Sequence, residues 1–137
     1  MDRKVVIIPT YNEKENIEAI VRKVFSLEGE YNVLIIDDGS PDGTAAIVKK
    51  VQTEFPERLF LIERSGKLGL GTAYLTGFKW ALENGYDYIF EMDADFSHNP
   101  EDLPRLYKAC AECGGVAIGS RYCDGISVVN WPIGRIL

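Results

Sequence analysis

The sequence predicts an α/β fold: a mostly parallel sheet with strands in the order 3-2-1-4 and helices on both faces. Three observations predict it. Short apolar, β-rich runs alternate with longer stretches of helical periodicity along the chain. Right-handed crossovers leave few topologies for such an alternation, and this order is the commonest of them. Two acidic segments, Ile36-Asp37-Asp38-Gly39-Ser40 and Glu91-Met92-Asp93-Ala94-Asp95, stand where parallel strands should end.

Taken in order, Val5-Val6-Ile7-Ile8 is a buried strand. The stretch from Glu13 to Leu27 is helical, with Ile17, Ile20, Val21, Val24 and Phe25 on one face. Val33-Leu34-Ile35-Ile36 is the second strand. Ser40-Pro41-Asp42-Gly43-Thr44 is turn chemistry that opens a helix with Ile47, Val48 and Val51 inward, closed by Pro56. Leu59-Phe60-Leu61-Ile62 is the third strand, and the glycine-rich Gly66-Lys67-Leu68-Gly69-Leu70-Gly71 leads into a helix from about Thr72 to Glu83. Asn84-Gly85 ends that helix, and Tyr88-Ile89-Phe90 is the fourth strand. Asn99-Pro100-Glu101-Asp102 is a helix start, with an Asn cap and Pro at the first helical position. Val116-Ala117-Ile118 is expected as a fifth strand.

Composition narrows the function. The 137 residues suffice for one domain with a real core, and the 46% hydrophobic content argues against disorder. The net charge of −6, with no basic stripe, argues against a nucleic-acid partner and gives no help to docking on anionic lipid. No apolar run approaches the roughly 18 residues of a membrane span, and no signal-peptide pattern opens the chain, which reads as cytosolic. Cys110 and Cys113 form a C-x-x-C late in an apparent helix. No second ligand pair follows, and His98 is the only histidine, so these thiols are read with Cys123 as packing residues.

The strand order puts the switch point between strands one and four, where open α/β sheets bind ligands. The loops there are Pro9-Thr10-Tyr11-Asn12-Glu13 and Asp93-Ala94-Asp95. Two carboxylates one residue apart repel each other unless a cation neutralises them. Hard oxygen donors suit Mg²⁺ or Mn²⁺, and Mg²⁺ needs only one or two carboxylates when phosphates and waters complete its shell. The turn after strand one lacks the glycines of a dinucleotide fingerprint. Gly69-Leu70-Gly71-Thr72-Ala73-Tyr74 mimics G-x-G-x-x-G but carries Tyr74 at its last position and follows strand three. This loop suits phosphate contacts through backbone N–H groups and Lys67, and suits equally a tight turn into a helix. A phospho-receiver domain would put paired acids after strand one, whereas Asp37-Asp38 follow strand two.

Five motifs occur in order: Pro9 to Glu13; Asp37-Asp38-Gly39-Ser40-Pro41-Asp42-Gly43-Thr44; Gly69 to Ala73; Asp93 to His98; and Gly119-Ser120-Arg121-Tyr122. The series resembles the family 2 glycosyltransferases, whose fold is the Rossmann-like GT-A nucleotide-diphospho-sugar transferase fold. Within that family it is most similar to the polyprenol- or dolichyl-phosphate mannosyltransferases. The resemblance implies an inverting transferase moving mannose from GDP-mannose to a polyprenyl phosphate with Mg²⁺ or Mn²⁺. It places Pro9, Tyr11 and Glu13 at the nucleoside, with Tyr11 packing on the base. Asp38, or alternatively Asp37, is placed on base or ribose and Lys67 near phosphate. Asp93 is placed at the ribose and the metal-bound diphosphate, Asp95 as principal metal ligand, and Arg121 on phosphate charge.

Many family members carry glutamine two residues beyond the second Asp of the triplet; here Ser97, a shorter donor, stands there beside His98. Alternatives are another family 2 enzyme with a UDP-sugar donor or glycan acceptor, and a nucleotide-binding fragment without transferase activity. Residues 1–122 are expected to form the nucleotide-sugar-binding core. Residues 123–137 are expected to begin an acceptor-side region that is poorly ordered or covered by another chain, giving a homo-oligomer through Ile126, Val128, Val129, Trp131, Ile133, Ile136 and Leu137. The chain is expected to be the N-terminal part of a longer protein, peripheral to the cytoplasmic face of the membrane.

Overall fold

Side chains alternate strictly between two cores across the central strands. β1 (Lys4–Thr10) sends Val6 and Ile8 to one face and Val5 and Ile7 to the other. β2 (Asn32–Asp37) divides Val33 and Ile35 from Leu34 and Ile36 in the same way. β3 (Leu59–Glu63) divides Leu59 and Leu61 from Phe60 and Ile62, and β4 (Tyr88–Glu91) divides Tyr88 and Phe90 from Ile89. Burial of both faces is what a parallel sheet covered by helices on each side requires. The structure is a computed structural model and describes residues 3–27, 29–64, 70–94, 100, 101, 103–105, 107, 108, 120–123 and 126–130.

The helices divide accordingly. α1 (Ile17–Ser26) buries Ile17, Ile20, Val21 and Val24 in the first core, and α2 (Thr44–Gln52) adds Val48 and Val51. α3 (Leu70–Glu83) covers the opposite face with Ala73, Ala81, Phe78 and Trp80. It lies very close to the sheet at Gly77, where an added Cβ would come within 2.7 Å of Ile7 Cγ2 and 3.0 Å of Ile36 Cδ1. Glycine there lets the helix seat itself on the strands that carry the candidate site.

β1 pairs in parallel with β2 and β4, and β2 pairs in parallel with β3, giving the expected order 3-2-1-4. Among the described residues the sheet continues to six strands, in the order β3-β2-β1-β4-β6-β5. β6 (Ile126–Asn130) runs antiparallel to β4, with Phe90 opposite Val128, and β5 (Ser120–Cys123) runs antiparallel to β6. Part of the segment read as an uncovered apolar tail is thus a strand against β4. The sequence carries a signal for it: Asp124-Gly125 between two β-rich runs is hairpin turn chemistry. The expected strand at Val116-Ala117-Ile118, Cys110 and Cys113, and residues 131–137 lie outside the described residues.

α1 starts at Ile17 and not at Glu13. Asn12 adopts φ +58°, a left-handed conformation that asparagine tolerates. The Glu13 carbonyl then accepts N–H bonds from both Asn16 (3.0 Å) and Ile17 (2.9 Å), forming a turn ahead of the helix.

Candidate functional site

Because β1 to β4 are parallel, their C-terminal ends share one edge, and the loops leaving it converge. The ladder extends past the strands themselves: Asp38 N–H donates to the Thr10 carbonyl (3.1 Å), Arg64 N–H to the Asp37 carbonyl (2.8 Å), and Met92 N–H to the Ile7 carbonyl (3.1 Å). These bonds place Asp38, Arg64 and Asp93 around the end of β1.

Asp37 is 1% exposed, and its carboxylate is held by the loop itself. Thr10 and Ser40 hydroxyls donate to Oδ1 at 2.8 and 2.6 Å, and Ser40 N–H donates to Oδ2 at 3.0 Å. A carboxylate accepting three such bonds shapes the turn. Asp38, beside it, meets a guanidinium in bidentate geometry: Arg64 Nε donates to Oδ1 at 2.7 Å and Nη2 to Oδ2 at 2.9 Å. Arg64 Nη1 also donates to Thr72 Oγ1 at 3.1 Å, joining the end of β3 to the first turn of α3.

The β1–α1 loop is tied to the start of α2. Asn12 N–H donates to Ser40 Oγ (2.9 Å), Glu13 N–H to Thr44 Oγ1 (3.0 Å), and Lys14 N–H to Asp42 Oδ2 (3.2 Å). Asp42 Oδ1 accepts from both the N–H and the hydroxyl of Thr44. Gly43, at φ +92°, makes the left-handed step into α2. Pro9 is the penultimate residue of β1, opposite Ile36, and Tyr11 is 39% exposed at the head of the loop. An exposed aromatic ring on a braced loop is a stacking surface.

On the other side of β1, Asp93 is half-buried and accepts a hydrogen bond from the Tyr74 hydroxyl on α3 (3.1 Å). Burial, with the Asp93 carboxylate adding, pushes the Tyr74 phenol well above its ordinary value, so it remains the donor. Asp93 is a hard oxygen donor just past a strand end, the kind of ligand Mg²⁺ or Mn²⁺ takes. Asp95, Lys67, Ser97 and His98 lie outside the described residues. Arg121 falls on β5 opposite Val128, with β6 between it and β4.

The structure therefore gathers Pro9, Tyr11, Glu13, Asp37, Asp38 and Asp93 around one edge. It adds residues to which the sequence alone gave no site role: Thr10, Ser40, Asp42, Thr44, Arg64 and Tyr74. Arg64 was legible in principle, because the order 3-2-1-4 sets the end of β3 beside Asp37-Asp38.

The profile of glycosyl transferase family 2 matches residues 5–136. This chain belongs to that family. It is 48% identical over 135 residues to the polyprenol monophosphomannose synthase of Mycolicibacterium smegmatis, an alignment covering 98% of this chain and 51% of that protein. It is 40% identical over 134 residues to the dolichol-phosphate mannosyltransferase of Pyrococcus furiosus, covering 96% of this chain and 37% of the relative. The chain thus spans about half, or less, of the length of these relatives. Its fold is similar to part of a mannosyltransferase from Pyrobaculum calidifontis solved in complex with GDP-Man and Mn²⁺. The TM-score is 0.74 at 22% identity, covering 93% of this chain and 44% of the other. Among the described residues no helix is long and apolar enough to cross a membrane.

Proposed function

We propose that this family 2 chain carries the donor-binding part of an inverting, metal-dependent glycosyltransferase that moves mannose from GDP-mannose to a polyprenyl phosphate. The observation that carries the reading is the arrangement of side chains at the end of β1. There the exposed ring of Tyr11 stands on a braced loop, with Asp38 on one side and Asp93 on the other. The 48% identity to a polyprenol monophosphomannose synthase supports the choice of sugar and acceptor.

In this reading Tyr11 stacks on the base, flanked by Pro9 and Glu13, while Asp38 meets base or ribose and Asp37 holds the loop. Lys67 and the glycine-rich turn meet phosphate. Asp93 and Asp95 hold Mg²⁺ or Mn²⁺, and Arg121 adds positive charge for phosphate. A bound divalent ion supplies charge neutralisation for the diphosphate leaving group. The acceptor phosphate oxygen is already anionic at neutral pH, so no side chain has to remove a proton. In-line attack on the anomeric carbon inverts its configuration. The task left to the protein is positioning and electrostatic stabilisation. A lipid-linked acceptor places the enzyme at the cytoplasmic face of the membrane, with the nucleotide-binding core in residues 1–122.

Calorimetry with GDP and UDP, each with Mn²⁺ or with chelator, tests the donor half. GDP is expected to bind in preference to UDP and only with the metal, and Asp95→Ala to abolish binding. Equal GDP affinity with chelator and in Asp95→Ala would sink the metal role. For the acceptor half, this chain with GDP-mannose, Mn²⁺ and polyprenyl phosphate in detergent is compared with a chain of its relatives' length. The longer chain is expected to transfer mannose and this one weakly or not at all. Absence of transfer by the longer chain favours a nucleotide-binding module or a different acceptor.

A further inference from the structure

The segment Gly69-Leu70-Gly71-Thr72-Ala73-Tyr74 departs from a dinucleotide-binding pattern at its last position, and the fold gives that tyrosine a partner. Ala73 is fully buried against the sheet, and the Tyr74 ring packs on the core that includes Ile7, Ile36 and Ile89. From that anchored ring the hydroxyl reaches the end of β4 and donates to Asp93 Oδ1 at 3.1 Å. A glycine here would bring backbone close to a ligand; the tyrosine sends a stiff side chain to an acidic one.

We propose that Tyr74 is a positioning residue for Asp93, helping to fix the orientation in which that carboxylate meets a divalent cation carrying a diphosphate. The inference rests on the reading that Asp93 faces a metal-bound diphosphate. Fixing a carboxylate's side-chain rotation on binding has an entropic cost, and each hydrogen bond that holds it beforehand lowers that cost. A ring held by packing supplies the orientation in advance, in the way that outer hydrogen-bond partners orient metal ligands. Packing needs only the ring, whereas orientation needs the hydroxyl, so Tyr74→Phe separates the two.

The test measures Mn²⁺ affinity of the chain by electron paramagnetic resonance, once with inorganic pyrophosphate and once with GDP. Wild type, Tyr74→Phe, Asp93→Asn and the double variant are compared. Tyr74→Phe is expected to melt like wild type while binding Mn²⁺ roughly tenfold more weakly, at the low end of the effect of removing a partner of a metal ligand. In the Asp93→Asn background the same change is expected to cause no further loss. Unchanged Mn²⁺ affinity in Tyr74→Phe, or losses that multiply in the double variant, overturn the proposal. A third arm with UDP in place of GDP separates it from the donor reading. Weakening seen with pyrophosphate but without preference for GDP over UDP supports Tyr74's role and removes GDP-mannose. A GDP preference with Mn²⁺ binding indifferent to Tyr74→Phe does the reverse. Wild type that binds no Mn²⁺ with any probe overturns both.

Discussion

The two acidic loops look alike in sequence and are built differently. After β2, Asp37 and Asp38 are engaged by the chain's own donors: Thr10 and Ser40 hold Asp37, and Arg64 clamps Asp38 in bidentate fashion. After β4, Asp93 is half-buried and oriented by a phenol from across the sheet edge. The first loop is a folding device that presents Asp38 and Tyr11 in a fixed frame. The second, in the function proposed above, turns its carboxylate to ligand chemistry. Equal carboxylates therefore predict unequal consequences when removed.

The widest separation is expected between Asp37→Ala and Asp93→Ala. Removing the Asp37 carboxylate orphans the Thr10 hydroxyl and both Ser40 donors at a site only 1% exposed. Bonds to a charged acceptor contribute about 1.5–3 kcal/mol each and are not additive, so a loss of about 3–4 kcal/mol is expected in urea unfolding. Asp93→Ala is expected to cost less, about 1 kcal/mol, since Asp93 and the Tyr74 whose hydroxyl it accepts from are both only half-buried. Equal losses in the two variants would erase the distinction between a structural and a functional acidic loop.

Arg64 sharpens the comparison. Truncation to Ala leaves Asp38, whose side chain is 9% exposed, without its guanidinium. Breaking a fully buried pair costs about 3–5 kcal/mol, and the slight exposure here lowers the expectation to about 2–3 kcal/mol. Arg64→Lys keeps the charge but not the fork, and is expected to recover less than half of the loss. Full recovery by lysine would mean that charge alone, and not bidentate geometry, holds Asp38.

Much of the fold was legible because the central strands are uniform apolar runs: Val5 to Ile8, Val33 to Ile36, Leu59 to Ile62 and Tyr88 to Phe90 gave the order 3-2-1-4. Strand ends were not, because Lys4, Thr10, Asn32 and Asp37 join the ladder through backbone bonds that carry no hydrophobic signature. β5 and β6 escaped because Ile126–Asn130 reads equally as an apolar tail until β4 is seen to offer it an edge. At the site, the motif residues were visible but their supports were not. Ser40, Thr44 and Tyr74 act across 28, 31 and 19 positions of sequence, distances over which local patterns say nothing. Tyr74 was noticed only as a residue that spoils a glycine pattern, and its reason lay on a strand not yet placed beside it.

The smallest expected effect concerns acid. Asp42 links the β1–α1 loop to α2 by accepting from Lys14 N–H and from the N–H and hydroxyl of Thr44. Desolvation works against its charge, but the Thr44 and Lys14 hydrogen bonds and the Lys14 charge prevail and hold its carboxyl below the usual range. A carboxyl depressed in the folded state contributes stability that is fully present above its unfolded value, about 4, and is lost as pH falls through the folded value. Other carboxylates titrate in the same interval, so the informative quantity is the difference between wild type and Asp42→Asn. Asparagine retains one oxygen acceptor and no charge. The stability advantage of wild type over that variant is expected to be constant from pH 7 to about pH 5 and to shrink below about pH 4. Urea midpoints across that range measure it. An advantage independent of pH would mean that Asp42 acts through the shape of its turn and not through its charge. The brace on the β2 side would then owe nothing to ionisation at this position.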